Sequence, residues 1–384
     1  MALCFLTDAP KPLDELTKAL TTLLRRPAPD AKLRIGTAMD VLSDVLRVVR
    51  LTGAVFFNGE FTAPWTLDEP DAQQIAAYAL PQAECVVLFH ILAEGSAVFQ
   101  CKGLPPVQLS SGDVIIFPHA DPHKMSSHLG AQARPPSDVF PTEGKSDVLH
   151  IAFGGGGEKS RFICGYLNCD QRFNPLLGAL PTILVVRSRD NYTAVEAIDC
   201  KGRRPTQVPQ GSSTWLGTTL KFTIHEAMSG HPGNSAMLGR LTELMFVEIL
   251  RQYMQQLPAD QTGWLAGLNN PCVGKALGLM HAEPARDWTV DELAREAAVS
   301  RSVLAQRFTE LVGDSPMRYL VGWRIHLAKQ MLREGKLSIQ EIATNVGYES
   351  EAAFNRAFKR LTGSPPASWR RSFANAAFSA SAPF

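Results

Sequence analysis

The chain has 384 residues, a length that favours two or three domains over one compact domain. Its 45% apolar and 20% charged residues exclude wholesale disorder, and the balance of 38 basic against 37 acidic residues excludes a uniformly basic nucleic-acid coat. No apolar run reaches 18 residues, so no membrane span is expected. The first ten residues are too short and too acidic for a signal peptide. Seven scattered cysteines indicate reduced thiols in the cytoplasm.

The charge is distributed unevenly between the two ends of the chain. Residues 271–373 hold 15 basic and 11 acidic residues and carry +4, whereas residues 1–270 hold 23 and 26 and carry −3. A basic C-terminal domain behind a near-neutral remainder fits a DNA reader joined to another domain. Ordinary surface scatter is the alternative interpretation.

The N-terminal part of the chain predicts a short helix followed by many strands. Residues 1–38 form an extension with a helix over Leu13–Leu24, and residues 39–50 are ambiguous between helix and strand. From 51 to about 153, short apolar runs alternate with Gly, Pro, Asp and Ser, which predicts an antiparallel barrel or sandwich. A polar loop is expected over 131–147, and the four glycines at 154–157 indicate a hairpin end.

Beyond about residue 173 the periodicity predicts helices. Asn234 to Leu257 carries a broad apolar face on a helix of roughly six turns, which could be core or a surface for a partner helix. Residues 258–271 are rich in Pro, Gly and Asn and give the best linker in the chain.

A pair of short helices is predicted from residue 289 onward. Thr289 with Glu292 three residues later gives a capping box, and Ser300 is placed to cap a second helix. Leu304 and Phe308 supply its core face, and Gly313 ends it. Two short helices joined by a tight turn are typical of a helix-turn-helix unit.

This pattern recurs 49 or 50 residues later. Ser338 to Tyr348 repeats the first helix and turn, and Ser350 to Gly363 repeats the second helix. Between the units, Pro316 to Leu332 predicts a long helix that spans roughly 25 Å at ~1.5 Å per residue. The two second helices could therefore lie about one DNA turn apart, ~34 Å, and enter successive major grooves.

The repeated segment resembles the tandem helix-turn-helix domain of the AraC/XylS family of transcription regulators. The resemblance rests on Ser338-Ile-Gln-Glu-Ile-Ala, Val346-Gly-Tyr, Phe354-Asn-Arg-Ala-Phe-Lys-Arg and Gly363-Ser-Pro-Pro-Ala-Ser-Trp-Arg. It places a DNA-binding domain at 272–373, followed by a tail at 374–384. The partner that it implies is the double-stranded DNA of a promoter, and RNA polymerase is a further partner expected of such a regulator.

The resemblance also implies which side chains contact DNA. On the first recognition helix these are Arg301, Ser302, Ala305, Gln306 and Arg307, and on the second they are Glu351, Ala352, Asn355, Arg356 and Lys359. Arg307, Lys359, Arg360 and Arg370 suit phosphates, and Gln306 suits an adenine edge. Each of these residues could instead be an ordinary solvated side chain. The small Ser302 and Ala305 suggest fewer direct contacts from the first helix.

A second resemblance concerns the strands. Gly112-Asp-Val-Ile-Ile-Phe-Pro-His-Ala-Asp-Pro-His is similar to the second motif of cupin barrels, with Ala120 where glycine is usual. The resemblance implies turns at Gly112 and Pro118 and a His123 that points into the barrel. The expected fold class is therefore α+β: an N-terminal cupin-like antiparallel β-barrel as sensor domain at 39–210, a helical linker and dimerisation segment at 211–262, and the all-α tandem helix-turn-helix domain.

The sensor could use a metal, a thiol or neither. Cupin metal sites take His-x-His and a Glu on the first motif, but His90 stands alone. A metal at His123 joined by His90, His119, His128, His150 or the thiols is one alternative, and a packed histidine is favoured over it. Cys164 and Cys169, five residues apart, could form a redox pair, contribute to a zinc site or be buried apolar cysteines.

Together these patterns predict a cytoplasmic, homodimeric, non-enzymatic regulator that binds promoter DNA. A small-molecule effector or a redox signal would act at the cupin domain, with His90, His123, Cys164 and Cys169 as candidate site residues. No cofactor is expected. The alternative is a metal-dependent cupin enzyme with an appended DNA-binding domain.

Overall fold

We analysed the fold on a computed structural model of the chain. The structure describes residues 40–49, 51–69, 85–131, 149–169, 175–189, 192–199, 214–257 and 261–372. The predicted helix over Leu13–Leu24, all but residue 131 of the loop at 131–147, and the tail at 374–384 lie outside these residues. None of the described helices is long and apolar enough to cross a membrane.

The N-terminal half is built mainly of strands. Its strands are β1 (Thr52–Thr62), β2 (Thr66–Glu69), β3 (Cys85–Glu94), β4 (Ser96–Cys101), β5 (Val107–Ser110), β6 (Val114–Phe117), β7 (His123–Ser126), β8 (Leu149–Gly154), β9 (Lys159–Cys169), β10 (Ile183–Arg189) and β11 (Tyr192–Ile198). Two helices flank them, α1 (Val41–Val49) and α2 (Pro175–Gly178). The ambiguous segment at 39–50 is therefore helical over its described part.

The strands form an open sandwich of two sheets rather than a closed barrel. A seven-stranded sheet runs in the order β11-β10-β6-β3-β9-β1-β8, and a four-stranded sheet in the order β2-β7-β4-β5. The predicted antiparallel barrel needs correction here, because the two sheets remain separate and β1 pairs with β8 in parallel. The interior between the sheets is filled mainly by aromatic and branched side chains such as Phe99, Phe117 and Phe162.

The position of strand β3 between two hydrophobic cores explains why its sequence is continuously apolar, without the alternation of a half-exposed strand. Its odd-numbered residues lie in the core shared with the helices, whereas its even-numbered residues lie between the two sheets; the first set is Val87, Phe89 and Ile91 and the second is Val86, Leu88 and Leu92. A strand covered on both faces needs apolar side chains on both, so its run is continuous.

The expectation of helices beyond residue 173 was wrong for residues 183–198. This segment forms the antiparallel hairpin β10–β11, in which Ile183 pairs with Ile198 and Arg189 with Tyr192. Strand β10 also pairs with β6 and so extends the large sheet. The apolar run Ile183-Leu-Val-Val, followed in sequence by the turn-favouring residues Asp190-Asn191, is the strand signal that the helical interpretation overlooked.

Two long helices cover the outer face of the large sheet. They are α3 (Thr214–Ser229) and α4 (Asn234–Gln255), whose buried residues Leu220, Met245 and Ile249 share a core with Phe89, Val114 and Leu167 of the strands. The segment predicted as a helical linker at 211–262 is helical here, but it packs on the sensor sheet and does not act as a separate linker. The broad apolar face of α4 serves as core.

The C-terminal half is entirely helical within the described residues. It contains α5 (Trp264–Asn269), α6 (Pro271–Ala282), α7 (Val290–Glu296), α8 (Arg301–Val312), α9 (Pro316–Glu334), α10 (Ile339–Asn345), α11 (Glu351–Thr362) and α12 at 366–372. Helix α5 lies inside the predicted linker at 258–271, so that expectation needs correction. Trp264 is buried there and donates an indole hydrogen bond to the hydroxyl of Tyr319, 3.0 Å away.

The two helix-turn-helix units have the predicted caps. Thr289 and Ser338 each form a complete capping box, with Glu292 and Glu341, and both second helices end at a left-handed glycine. The turns match as well, because Ala298 (φ 55°) and Gly347 (φ 83°) hold the same left-handed position. At Gly347 a β-carbon would lie 2.5 Å from the carbonyl oxygen of Ala285, so only glycine fits there.

The two units belong to different cores. Leu304, Phe308 and Tyr319 of the first unit share one continuous core with α1, α4 and the large sheet. The second unit has its own core, built of Ile325, Ala328, Leu332, Ile342, Ala343, Val346, Phe354 and Phe358. Helix α9 carries side chains into both cores, so it is the structural link between the two units.

Candidate signal site and DNA-reading faces

A chain of hydrogen bonds crosses the space between the two sheets. His90 Nδ1 lies 2.7 Å from Cys164 Sγ, and His90 Nε2 lies 3.0 Å from His123 Nε2. His123 Nδ1 lies 2.9 Å from the carbonyl oxygen of Asp121. Register explains the meeting: His90 pairs with Cys164 in the large sheet, and His123 belongs to the facing small sheet.

The donor and the acceptor in each of these hydrogen bonds follow from the last one, between His123 and the carbonyl of Asp121. A carbonyl oxygen can only accept, so His123 donates from Nδ1 and presents a lone pair at Nε2. His90 then donates from Nε2 and accepts at Nδ1, which leaves the Cys164 thiol as the donor to His90. Each imidazole is neutral in this arrangement, and the tautomers are assigned from the network.

Burial keeps the hydrogen-bonded side chains of Cys164, His90 and His123 uncharged. It lowers the pKa of His90 well below its usual value, with the neighbouring His123 adding to the effect, and lowers the pKa of His123 to about 4. It also raises the pKa of the Cys164 thiol well above its usual value. Desolvation opposes the charged form in each case, so thiol and imidazoles rest neutral at pH 7.

Glu69 completes the buried cluster and was missed by the sequence reasoning. It stands opposite His123 in the β2–β7 pair, its Oε1 has no hydrogen-bond partner among the described residues, and burial raises its pKa to about 7. It also contributes to the raised thiol pKa of Cys164. Nothing in the sequence marks it, because an acidic residue just before Pro70 looks like an exposed strand end.

Two left-handed turns position His123. Gly112 has φ 88° and Ala120 has φ 48°, so Ala120 occupies the conformation that explains the usual glycine of the motif. Asp113, fully buried, accepts from the amides of Ser110 and Ser188 and fixes the first turn. The ring of Phe117 stacks on His123 with centroids 3.7 Å apart, which holds the imidazole in place.

The side chains of the cluster form a linear series. Cys164 Sγ and His123 Nε2 contact opposite nitrogens of the His90 ring, so the three groups cannot converge on one ion. Among the described residues, no group of three or more His, Cys, Asp or Glu could hold one. His119 instead approaches the carbonyl of Leu180 at 3.3 Å, and His128 and His150 are exposed.

Cys164 and Cys169 do not form a redox pair. Both lie on the extended strand β9, where five residues at ~3.3 Å each separate their backbones by roughly 16 Å. A disulfide needs Cα atoms within about 7 Å, so this pairing is excluded by the strand. Cys169 is paired in register with Cys85, and its side chain lies outside the described residues.

The predicted DNA-contact residues lie on α8 and α11. Arg301, Ser302, Gln306 and Arg307 are exposed on α8, and Glu351, Ala352, Arg356 and Lys359 are exposed on α11. Ala305 and Asn355 are half-buried beside the core face. The periodicity thus turns most of the expected residues outward on both helices.

Several of these side chains have intramolecular partners. Arg301 forms an ion pair with Asp291 at 3.3 Å, and Gln306 donates to Glu310 at 2.8 Å. Arg307 leans toward Cys272, 3.9 Å from its sulfur. Arg370 donates to the carbonyl of Leu337 at 2.7 Å, so part of its guanidinium stabilises the loop after α9.

A cupin-type sandwich followed by two helix-turn-helix units defines a DNA-binding sensor protein. Residues 40–199 and 205–255 match the family model described as cupin, and residues 293–372 match a helix-turn-helix domain. The chain belongs to the AraC-like transcription regulators.

Three relatives are named as transcription regulators, and the match covers 87% or more of each one's length. An AraC-like transcription regulator of Streptomyces lividans is 33% identical over 74% of this chain and 87% of its own length. One from Streptomyces antibioticus is 30% identical over 87% of this chain and 99% of its own length. The regulator AlkR of Acinetobacter baylyi is 29% identical over 75% of this chain and 89% of its own length. These relatives confirm the regulator interpretation and do not support the enzyme alternative.

Proposed function

We propose that this regulator responds to an oxidant or a small electrophile at Cys164. The observation that carries the proposal is the hydrogen-bonded series Cys164–His90–His123, sealed in the core of the sensor. A thiol with a base and a second base behind it can lose its proton without leaving the positive charge beside the sulfur. A non-covalent small-molecule effector at the same cluster is the alternative signal.

The proton order specifies the step. The Cys164 proton passes to His90 Nδ1 while the His90 Nε2 proton passes to His123 Nε2, which yields a thiolate and an imidazolium at His123. The sulfur attacks one oxygen of hydrogen peroxide, the O–O bond breaks, and Cys164 becomes a sulfenic acid. The departing hydroxide takes the proton of His90 Nδ1 to form water, while His90 Nε2 regains its proton from His123 Nε2. Because burial favours the neutral chain, the resting thiol is protected from weak electrophiles.

Cys164→Ser tests this proposal, because serine keeps the donor to His90 and removes the sulfur chemistry. We expect peroxide treatment to change promoter binding by the wild-type chain and to leave the variant unchanged. Cys272→Ser, which changes a buried cysteine outside the sensor, is the matched control and should respond like wild type. Mass spectrometry should find the added oxygen on Cys164. If Cys164→Ser still responded to peroxide as the wild type does, the thiol signal would be refuted and the non-covalent effector favoured.

The regulator is proposed to act as a homodimer through the outer surface of α3 and α4. Large apolar side chains are exposed there, with Trp215 48%, Phe222 45% and Leu244 54% accessible. Exposed apolar patches of this kind are typical of protein interfaces. Leu244→Glu should convert the dimer to a monomer in analytical ultracentrifugation. A wild-type chain that already sediments as a monomer would argue against this interface.

The remaining roles follow from promoter binding. We place the protein in the cytoplasm, where the promoter lies, with RNA polymerase as its further partner. Within this proposal the exposed residues of α8 and α11 contact the DNA, and no resident metal is required. In the alternative, a non-covalent effector acts through its different affinities for two arrangements of the sensor.

A further inference from the structure

The two DNA-reading faces differ in their hydrogen-bonding chemistry. On α11 the outward side chains include Arg356, Lys359 and Arg360, all exposed and none in an ion pair with another described residue. Guanidinium and ammonium groups carry donors only. At these three positions the second helix offers only donors and positive charge, whereas Glu351 at its start carries an acceptor carboxylate.

Helix α8 has the opposite character. Thr309 and Glu310 follow Gln306 by three and four residues, and all three lie on the exposed side of the helix, away from the buried Leu304 and Phe308. The amide of Gln306 donates one of its protons to Glu310 at 2.8 Å, and the hydroxyl of Thr309 donates its proton to the carbonyl of Ala305 at 2.9 Å.

These internal bonds leave mainly acceptors facing outward. The Gln306 carbonyl oxygen, the Thr309 oxygen and the Glu310 carboxylate all accept, whereas one Gln306 N–H remains to donate. Two exposed cations lie on the same helix. Arg301 forms a surface ion pair with Asp291, and Arg307 lies 3.9 Å from the sulfur of Cys272, so neither contacts Gln306 or Glu310 in an ion pair or hydrogen bond that the structure records.

The major groove distinguishes such faces. Guanine presents two acceptors there, whereas cytosine presents an amino donor and adenine an amino donor beside an acceptor. We infer that the two units read opposite chemistry: α8 selects an exocyclic amino group of cytosine or adenine through Gln306 and Glu310, and α11 selects guanine through Arg356. This inference rests on the proposed promoter binding and names the base class in each half-site.

The Glu310 carboxylate acts chiefly by exclusion. Guanine O6 and N7 would face its oxygens with no proton between them, and an unpaired buried acceptor is costly. In a complex with DNA the carboxylate would also repel nearby phosphates. The first unit is therefore expected to add discrimination, while the second supplies most of the electrostatic attraction.

The test is selection of bound duplexes from a random library by the full-length chain, both reduced and peroxide-treated. In one half-site we expect cytosine or adenine to be preferred over guanine by about tenfold or more at one position. Glu310→Gln, which keeps the shape but adds donors, should admit guanine there and leave the other half-site unchanged. Arg356→Ala should relax a guanine in the other half-site only.

A matched control separates base reading from charge. Glu296→Gln makes the same charge change at an exposed position on α7 and should leave both preferences intact. Guanine at the α8 position with wild type, an unchanged preference in Glu310→Gln, or the same shift in Glu296→Gln would each overturn the inference. If neither form of the chain enriches any sequence, the proposed promoter binding itself fails.

Discussion

Removing the Lys359 ammonium should change how DNA affinity depends on salt. Lys359 is exposed on α11, and a lysine at this place suits a phosphate rather than a base edge. Each neutralised phosphate contributes about −0.9 to the slope of log K against log salt concentration. A fourfold rise in salt therefore weakens binding by about 3.5-fold for each such contact.

The magnitude follows from the basic face of α11. If Lys359 and Arg360 each neutralised one phosphate, binding would weaken by roughly 12-fold between 50 and 200 mM salt. Lys359→Ala should reduce that factor to about 3.5-fold, with base preference unchanged. Fluorescence anisotropy across this salt range measures the slope directly.

The control and the refuting result are equally specific. Lys102→Ala removes an exposed lysine from the turn after β4 in the sensor and should leave the slope at its wild-type value. A Lys359→Ala chain with an unaltered slope but a changed base preference would assign Lys359 to base reading. The electrostatic account of the second unit would then be refuted.

Two further predictions concern stability. Phe358→Ala opens a cavity in the separate core of the second unit at a cost of about 3–5 kcal/mol, so calorimetry should show that unit unfolding at a lower temperature while the sensor transition stays in place. Phe308→Ala, in the shared core, should instead lower the temperature of the sensor transition. The same shift of both transitions in both variants would contradict the two-core description. Burial lowers the pKa of His123 to about 4 and those of His281 and His326 to about 3, so below pH 6.5 the unfolded chain binds protons that the fold does not, and stability falls as pH drops. The raised pKa of Glu69, about 7, acts in the opposite sense, because its stabilisation is present below pH 4.5 and is lost as pH rises toward 7. His90 acts in the same sense as these three histidines, and the four outweigh one carboxyl, so urea unfolding should show about 3 kcal/mol less stability at pH 5.5 than at pH 7. His326→Leu should flatten this dependence and His128→Gln, at an exposed site, should not; a stability that rises on acidification would contradict the buried neutral histidines.

The helix-turn-helix units could be predicted in detail from local chemistry. Thr289, Ser300, Ser338 and Ser350 cap their helices as expected because a cap depends on residues within three positions of one another. The repeat at 49 or 50 residues gave a second, independent sign of the same structure. Helix α5 inside the expected linker was not foreseen, because its Trp264 is held by Tyr319 of a distant helix.

The sensor could be predicted only in part. The apolar runs indicated most of the strands, but the hairpin β10–β11 was taken for helix because short β-branched runs do not show a clear period. His90, His123 and Cys164 were candidates as separate residues. They come into contact only in the folded sandwich, where His90 lies beside Cys164, 74 positions away, and faces His123, 33 positions away.

What the sequence by itself determined is the set of local elements, the duplicated reading unit and the family. Caps, turns and periodic apolar faces act over a few residues, so the amino-acid order is enough to specify them. Only the tertiary structure decided that the sandwich is open, that Glu69 is buried opposite His123, and that Glu310 holds Gln306 on the exposed face of α8. Burial and register join residues from separate strands, and the pKa values and proton order of the cluster arise from that burial rather than from the residue types.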